Sequence, residues 1–183
     1  GAARNLGLAT AKYPYVIFLD SDDLLSPECL EGRIRYVAET EKPLDFWVFP
    51  VGTFYKKIGD SSSIWRAHAG QDHLRMFLRH RLPWNITSPL WSTVFLKKIG
   101  GFDRSLPRLQ DVDLHTRALF AGAKYRVIEN AKPDSFYRID PDRSPQDPYG
   151  MCMKYLTAVI GYCKNVEAYL RSDSVDFSEC RKL

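Results

Sequence analysis

The sequence predicts an α/β fold in which a mixed sheet is flanked by helices. Three observations carry that prediction. The run Tyr15-Val16-Ile17-Phe18-Leu19 is short, apolar and rich in β-branched and aromatic residues, which reads as a buried strand. It runs straight into Asp20-Ser21-Asp22-Asp23, and ligands in open α/β sheets collect beyond the carboxyl ends of strands. Similar short runs then alternate with amphipathic helical segments along most of the chain.

The elements follow in order. Residues 1–11 have helical composition, with Ala3, Leu6 and Ala9 as the apolar positions, and Lys12-Tyr13-Pro14 leads into the strand. Ser26-Pro27-Glu28 reads as a helix start, with serine as cap, proline at the first position and an acid in the first turn. That helix is expected to reach about Glu39 and to turn Leu30, Ile34 and Val37 inward. Residues 44–55 read as a strand interrupted at Pro50 and Gly52, then a turn at 59–63 and a short returning strand at 64–66. A helix is expected over 71–80 with Leu74, Phe77 and Leu78 inside, a loop over 83–89, and a strand over 90–95. Leu96-Lys97-Lys98-Ile99 is a turn into Gly100-Gly101. Asp111 to Ala121 is a helix ended by Gly122, followed by strands at 125–128 and 135–138. A proline-rich loop covers 141–148. The last helix covers about 151–171, with Met153, Leu156, Ile160, Cys163 and Val166 as its inner stripe and Tyr155, Tyr162 and Tyr169 as an aromatic flank. The tail after Ser172 reads as frayed. There are no internal repeats.

Bulk properties narrow the class. The 183 residues suit one domain of ordinary size, with 45% hydrophobic and 26% charged residues. A net charge of +4 favours anionic substrates or an anionic membrane face without requiring either, and no basic run is dense enough to call for nucleic acid. Cys29, Cys152, Cys163 and Cys180 have no metal or disulfide-framework spacing, which reads as free thiols in a reducing compartment. No stretch reaches the apolar length of a bilayer span, and no signal peptide is visible.

The chemistry starts at the acidic tetrad. Three carboxylates at one strand end repel each other, and a hard divalent cation resolves the repulsion. Mg²⁺ takes carboxylates together with phosphate oxygens and water. The pattern therefore suggests a metal-and-phosphate site. The competing reading is an aspartate-rich turn held by local hydrogen bonds.

The stretch "ARNLGLA" followed by "YVIFLDSDD", together with "GGFDRSL" and "QDVDLHTR" downstream, resembles the nucleotide-sugar-dependent family 2 glycosyltransferases. The likeness covers roughly Ala2 to Arg117. It implies the GT-A fold, with residues 1–150 as a partial GT-A domain and 151–183 as a helix and tail packed on it. Because family members open with earlier nucleotide-binding strands, the resemblance also implies that the N-terminal strands are absent from this chain. The implied activity is inverting transfer of a sugar from a nucleotide-diphospho-sugar to an acceptor hydroxyl, in polysaccharide or glycolipid biosynthesis. A sugar or lipid-linked acceptor, Mn²⁺ or Mg²⁺ as cofactor, and a cytoplasmic setting at the inner membrane face belong to the same expectation. Peripheral membrane association and a homodimer are compatible with it.

Residue by residue, the resemblance places Asp20 and Asp22 in the DXD metal motif. Asp22 is the direct ligand, and Asp20 reaches the ribose or a metal-bound water. Asp23 caps the next helix or supports the ligands from behind. Arg4 and Asn5 face the nucleotide, or else simply start a helix. Asp111 is the general base, with Gln110 where the family more often has Glu; otherwise it caps its helix. Asp113 has a supporting role and pairs with Arg117 four residues on. Gly101, with Gly100, either lets backbone approach the donor sugar or makes a helix-end turn. Tyr137-Arg138 and Asp142-Arg143-Ser144 resemble the family's closing segment, where Arg138 or Arg143 meets the phosphates. The histidine many relatives carry there is missing. His68, His73, His80 and His115 read as structural or exposed. Trp84, Asn85, Trp91 and Ser92 lie where the acceptor side is usually built, though aromatic rings also fill cores, and core packing is the better reading for each one singly. Asn85-Ile86-Thr87 matches a glycosylation sequon by chance. Two competing functions stay open. One is a haloacid-dehalogenase-like phosphatase, against which Leu24 stands where that family has Thr or Val. The other is a non-catalytic nucleotide-sugar-binding module.

Overall fold

The computed structural model describes residues 1–142 and 146–171. In chain order the elements are α1 (Ala2–Thr10), β1 (Tyr15–Val16), β2 (Leu24–Leu25), α2 (Cys29–Ala38), β3 (Phe46–Val48), β4 (Val51–Phe54), β5 (Ile64–Trp65), α3 (His73–Leu78), β6 (Pro89–Ser92), α4 (Thr93–Lys98), α5 (Gln110–Phe120), β7 (Tyr125–Val127), β8 (Ser135–Arg138) and α6 (Pro148–Arg171).

The strands form two four-stranded mixed sheets, ordered β1-β6-β3-β7 and β2-β8-β4-β5. In the first, β6 is antiparallel to β1 and β3, and β7 runs parallel to β3. In the second, β8 is parallel to β4, and β2 and β5 lie antiparallel at its edges. One extended segment serves both sheets, because β3 passes into β4 through Phe49-Pro50. Proline has no N–H to give a ladder, so the pairing changes partner there.

Alternation along β3 builds two apolar clusters. Phe46 and Val48 join Phe77, Trp84, Trp91, Leu96 and Leu114 on one face. Trp47 and Phe49 join Leu90 and Ile128 on the other. Phe46 is the centre of the larger cluster, with its ring 4.3 Å from Trp91 and stacked at 4.8 Å on Tyr125. Each such fully buried side chain contributes about 1.5–3 kcal/mol. Trp84 and Trp91 are therefore core, as is the sequon. Asn85 and Thr87 are buried, and the Asn85 Oδ1 accepts from the backbone N–H groups of Thr87 and Ser88, each at 3.0 Å.

Four local expectations come out differently. Pairing of β1 stops at Val16, although Phe18 still enters the core. The apolar run after Leu90 leaves the sheet at Ser92, whose hydroxyl accepts from Phe95 N–H and starts α4. On α2, Leu30 and Ile34 are exposed while Cys29 and Arg33 turn inward. On α6, Met153, Leu156, Ile160 and Cys163 are exposed, and Ala158 and Tyr162 are the buried positions. In both helices polar partners select the inner face. Arg33 finds Asp134 at 2.6 Å, and the Tyr162 hydroxyl lies 2.9 Å from Thr116 Oγ1 on α5. Among the described residues no helix is long and apolar enough to cross a membrane.

Candidate functional site

The acidic loop leaves β1 through Phe18, whose ring meets Phe102 edge-on at 4.8 Å. Its backbone then tightens, with Asp23 N–H donating to Asp20 C=O at 3.1 Å. The three carboxylates take three separate environments. Asp20 pairs with the guanidinium of Arg4, which itself lies 5.3 Å over the Phe102 ring. Asp22 stays at the surface. Asp23 is buried, and its Oδ1 accepts the Arg138 backbone N–H at 3.0 Å. Burial pushes the Asp23 carboxyl above its ordinary value; the Arg138 N–H bond opposes this, and the neighbouring charges of Asp22 and Asp20 add to it.

Arg138 grips the same loop from β8. Its Nε donates to Asp22 C=O at 2.9 Å and its Nη1 to Tyr55 C=O at 3.2 Å, while the guanidinium lies 4.4 Å over Phe54. The loop is thus held by one arginine from each side. Arg143 lies outside the described residues.

Asn5 has a different occupation from the one its motif implies. Its Nδ2 donates to Phe102 C=O and its Oδ1 accepts Phe102 N–H, both at 2.8 Å. It straps α1 to the double-glycine turn. Gly100 and Gly101 sit at φ 84° and 65°, and the Gly101 N–H donates to Leu96 C=O at 3.0 Å to close α4. A Cβ on Gly101 would stand 2.6 Å from Asn5 Oδ1. The helix-end turn and the close approach of α1 together account for both glycines.

The turn is also held from α5. Arg117 donates to Ile99 C=O, to Gly101 C=O at 2.6 Å and to Asp113 Oδ2 at 3.1 Å. Asp113 is fully buried, and its Oδ1 accepts from Asn165 Nδ2 and the Tyr169 hydroxyl, each at 2.9 Å. It joins α5 to α6, the supporting role its spacing implied. Asp111, two residues earlier, is half-buried, and its side chain makes no hydrogen bond or ion pair among the described residues. Nor does it cap the helix. The cap position is Leu109, in the left-handed region at φ 58°, with no side-chain bond. Gln110 donates to Leu106 C=O at 2.6 Å and accepts from the Gly1 amine, so the start of α5 lies against the start of α1, one turn from the Arg4–Asp20 pair.

Among the described residues no three His, Cys, Asp or Glu side chains are grouped to hold a metal ion. The loop nonetheless fits a cation of the Mg²⁺ type, which needs only one or two protein carboxylates when a diphosphate and water supply the rest. Asp22 and Asp20 are the carboxylates that would serve such an ion.

Sequence reasoning passed over one cluster behind this loop. Arg33, fully buried, donates through Nε and Nη2 to both Asp134 oxygens at 2.9 and 2.6 Å, to Ser135 Oγ at 2.9 Å, and to the carbonyls of Thr87 and Ser88 at 3.0 and 3.2 Å. Thr87 in turn reaches Asp23 at 3.5 Å. No local pattern signals this, because an arginine on an amphipathic helix ordinarily faces solvent. His115, read from the sequence as structural or exposed, is fully buried among Phe77, Trp84 and Trp91, and burial lowers its pKa to about 3.

Comparison with known proteins places this geometry. The family model for glycosyl transferase family 2 matches residues 1–98. An uncharacterized glycosyltransferase of Methanocaldococcus jannaschii is 27% identical over 70% of this chain and 44% of its own length. One from Rickettsia felis is 29% identical over 60% of this chain and 22% of its own. The chain thus spans less than half the length of these relatives. Among solved structures, S. aureus TarS 1–349 in complex with UDP superposes with a TM-score of 0.67 at 16% identity, covering 98% of this chain and 47% of that one. The same TarS segment in complex with UDP-GlcNAc gives a TM-score of 0.59 at 20% identity, over 87% and 46% of the two chains. At these identities the likeness is one of fold, the mixed α/β GT-A architecture.

Proposed function

The chain belongs to glycosyl transferase family 2, and from that premise we propose that it moves a sugar from a nucleotide-diphospho-sugar to an acceptor hydroxyl with inversion. The observation that carries the mechanism is the contrast along α5. Asp113 has every oxygen occupied, while Asp111 stands in the first helical turn with no protein partner among the described residues. A single displacement needs one such carboxylate to take the acceptor proton as the hydroxyl attacks the anomeric carbon. The bond from that carbon to the diphosphate oxygen then breaks, and the nucleoside diphosphate leaves with the electron pair.

The acidic loop serves the leaving side. Asp22, with Asp20, would hold Mn²⁺ or Mg²⁺, which neutralises the charge growing on a departing diphosphate. Arg4 keeps Asp20 oriented, and Arg138 fixes the loop through the Asp22 carbonyl and the Asp23 carboxyl. Arg138 also brings cationic charge to that side. Asn5 and Gly101 act at one remove, by seating α1 against the turn. Family membership sets the phosphatase reading aside, and nothing in the site favours it. Synthesis of a polysaccharide or glycolipid, with a sugar or lipid-linked acceptor, is the setting we propose.

The test is release of nucleoside diphosphate from a panel of sugar nucleotides with Mn²⁺, on the longest polypeptide that carries this chain, beside Asp22→Asn and Asp111→Asn. Metal-dependent release from one donor, lost in Asp22→Asn, supports the reading and identifies the donor. Asp111→Asn is expected to lower transfer by roughly 10²- to 10⁴-fold. Full transfer in that variant refutes the base assignment, and no release from any donor leaves a binding module.

A further inference from the structure

Away from the acidic loop, α3 carries an arrangement that the transfer reaction does not use. Arg75, Arg79 and Arg81 border one surface cavity of about 400 Å³. None of the three side chains has a hydrogen bond or an ion pair among the described residues. Arg4, Arg33, Arg35, Arg117 and Arg171, by contrast, each pair with a carboxylate.

The fold gathers these charges at a cost. Arg75 on α3 and Arg79 at its C-cap stand four apart, where like charges repel. Arg81 reaches the same cavity because His80 takes the left-handed conformation at φ 52°, which lets Arg81 N–H return to Met76 C=O at 2.9 Å. A non-glycine residue held there is strained. The one carboxylate on the rim, Asp72, is already committed as the α3 cap through Arg75 N–H at 2.9 Å. Phe77 meanwhile packs the opposite face of α3 into the core against Trp84 and His115. The cluster is therefore rigidly backed, open to solvent and short of negative charge.

We propose that this cavity binds a phosphate group. Guanidinium forks match phosphate oxygens in pairs, and an oxyanion with two charges relieves the repulsion among three arginines. A free phosphate or diphosphate and the headgroup of an anionic lipid share that chemistry.

The experiment uses the full 183-residue chain in EDTA, without sugar nucleotide, so failure of the transferase reading leaves it unaffected. In one arm inorganic pyrophosphate is titrated calorimetrically. In the other, sedimentation is measured with phosphatidylcholine vesicles with and without phosphatidic acid. Binding in either arm is expected, weakening with salt, and the arm that responds identifies the source. The double variant R79Q/R81Q should bind at least about tenfold more weakly, since each charge-assisted bond is worth that much. R79K should keep part of the affinity. Matching circular dichroism spectra establish that the exposed substitutions leave the fold intact. Absence of binding in both arms, or equal binding by R79Q/R81Q, overturns the proposal.

Discussion

Replacing Arg33 by methionine should cost far more than its place on an amphipathic helix suggests. The guanidinium is fully buried and uses all its nitrogens, on Asp134, Ser135 Oγ and the carbonyls of Thr87 and Ser88, with Phe49 stacked 4.7 Å beneath. Methionine keeps most of the volume, so cavity formation contributes little. The loss is electrostatic. Two backbone carbonyls and a hydroxyl lose their donor, and Asp134 loses its counter-charge. Breaking a buried pair from one side costs about 3–5 kcal/mol. The Asp134 side chain is 19% exposed and regains some water, which moves the expectation to the lower part of that range. Urea unfolding followed by far-UV circular dichroism measures it by linear extrapolation. At roughly 2–4 °C per kcal/mol for a domain of this size, the melting temperature should drop by about 6–14 °C. Asp134→Asn alone should be comparably harmful, because it strands a buried cation. Combining the two should cost less than their sum, with a coupling of about 1–3 kcal/mol. A stability within about 1 kcal/mol of wild type for Arg33→Met would refute the argument that this ion pair ties α2 to the start of β8.

Other outcomes follow from the same structure. Gly101→Ala meets both a positive φ and a 2.6 Å contact with Asn5 Oδ1, so it should destabilise by about 1–3 kcal/mol; Asn5→Ala in the same chain should recover the steric part, read by thermal melting. His115 is held neutral in the fold with its pKa lowered to about 3, whereas the unfolded chain takes up the proton near 6.5. Its contribution is therefore complete above pH 6.5 and is lost as pH falls toward 3, at up to about 1.4 kcal/mol per pH unit. His115→Leu should flatten the fall in stability between pH 6 and 4, and an unchanged slope would place the acid sensitivity elsewhere. Tyr169→Phe removes one of the two donors to the buried Asp113 Oδ1 and should cost about 1–2 kcal/mol in the same urea assay.

What the sequence determined by itself was what short-range chemistry controls. The acidic tetrad follows an apolar run, and Pro50 interrupts a strand. Gln110-Asp111 begins a helix. Each depends on residues within a turn or two of one another, through caps, backbone donors and permitted φ. Two segments with these features also sufficed to resemble the family to which the chain belongs. The tertiary structure alone decided which faces and which acids go inside. Leu30 and Ile34 looked like the inner stripe of α2, yet Arg33 is drawn in by Asp134, 101 residues away. Met153, Leu156 and Ile160 looked like that of α6, yet Tyr162, Asn165 and Tyr169 turn inward to Thr116, Asp103 and Asp113. Asp20, Asp22 and Asp23 stand side by side in the sequence, and Arg4, Arg138 and Thr87 give them separate partners in space. A buried charge needs a partner, and that partner comes from a distant part of the chain, where local periodicity carries no record of it.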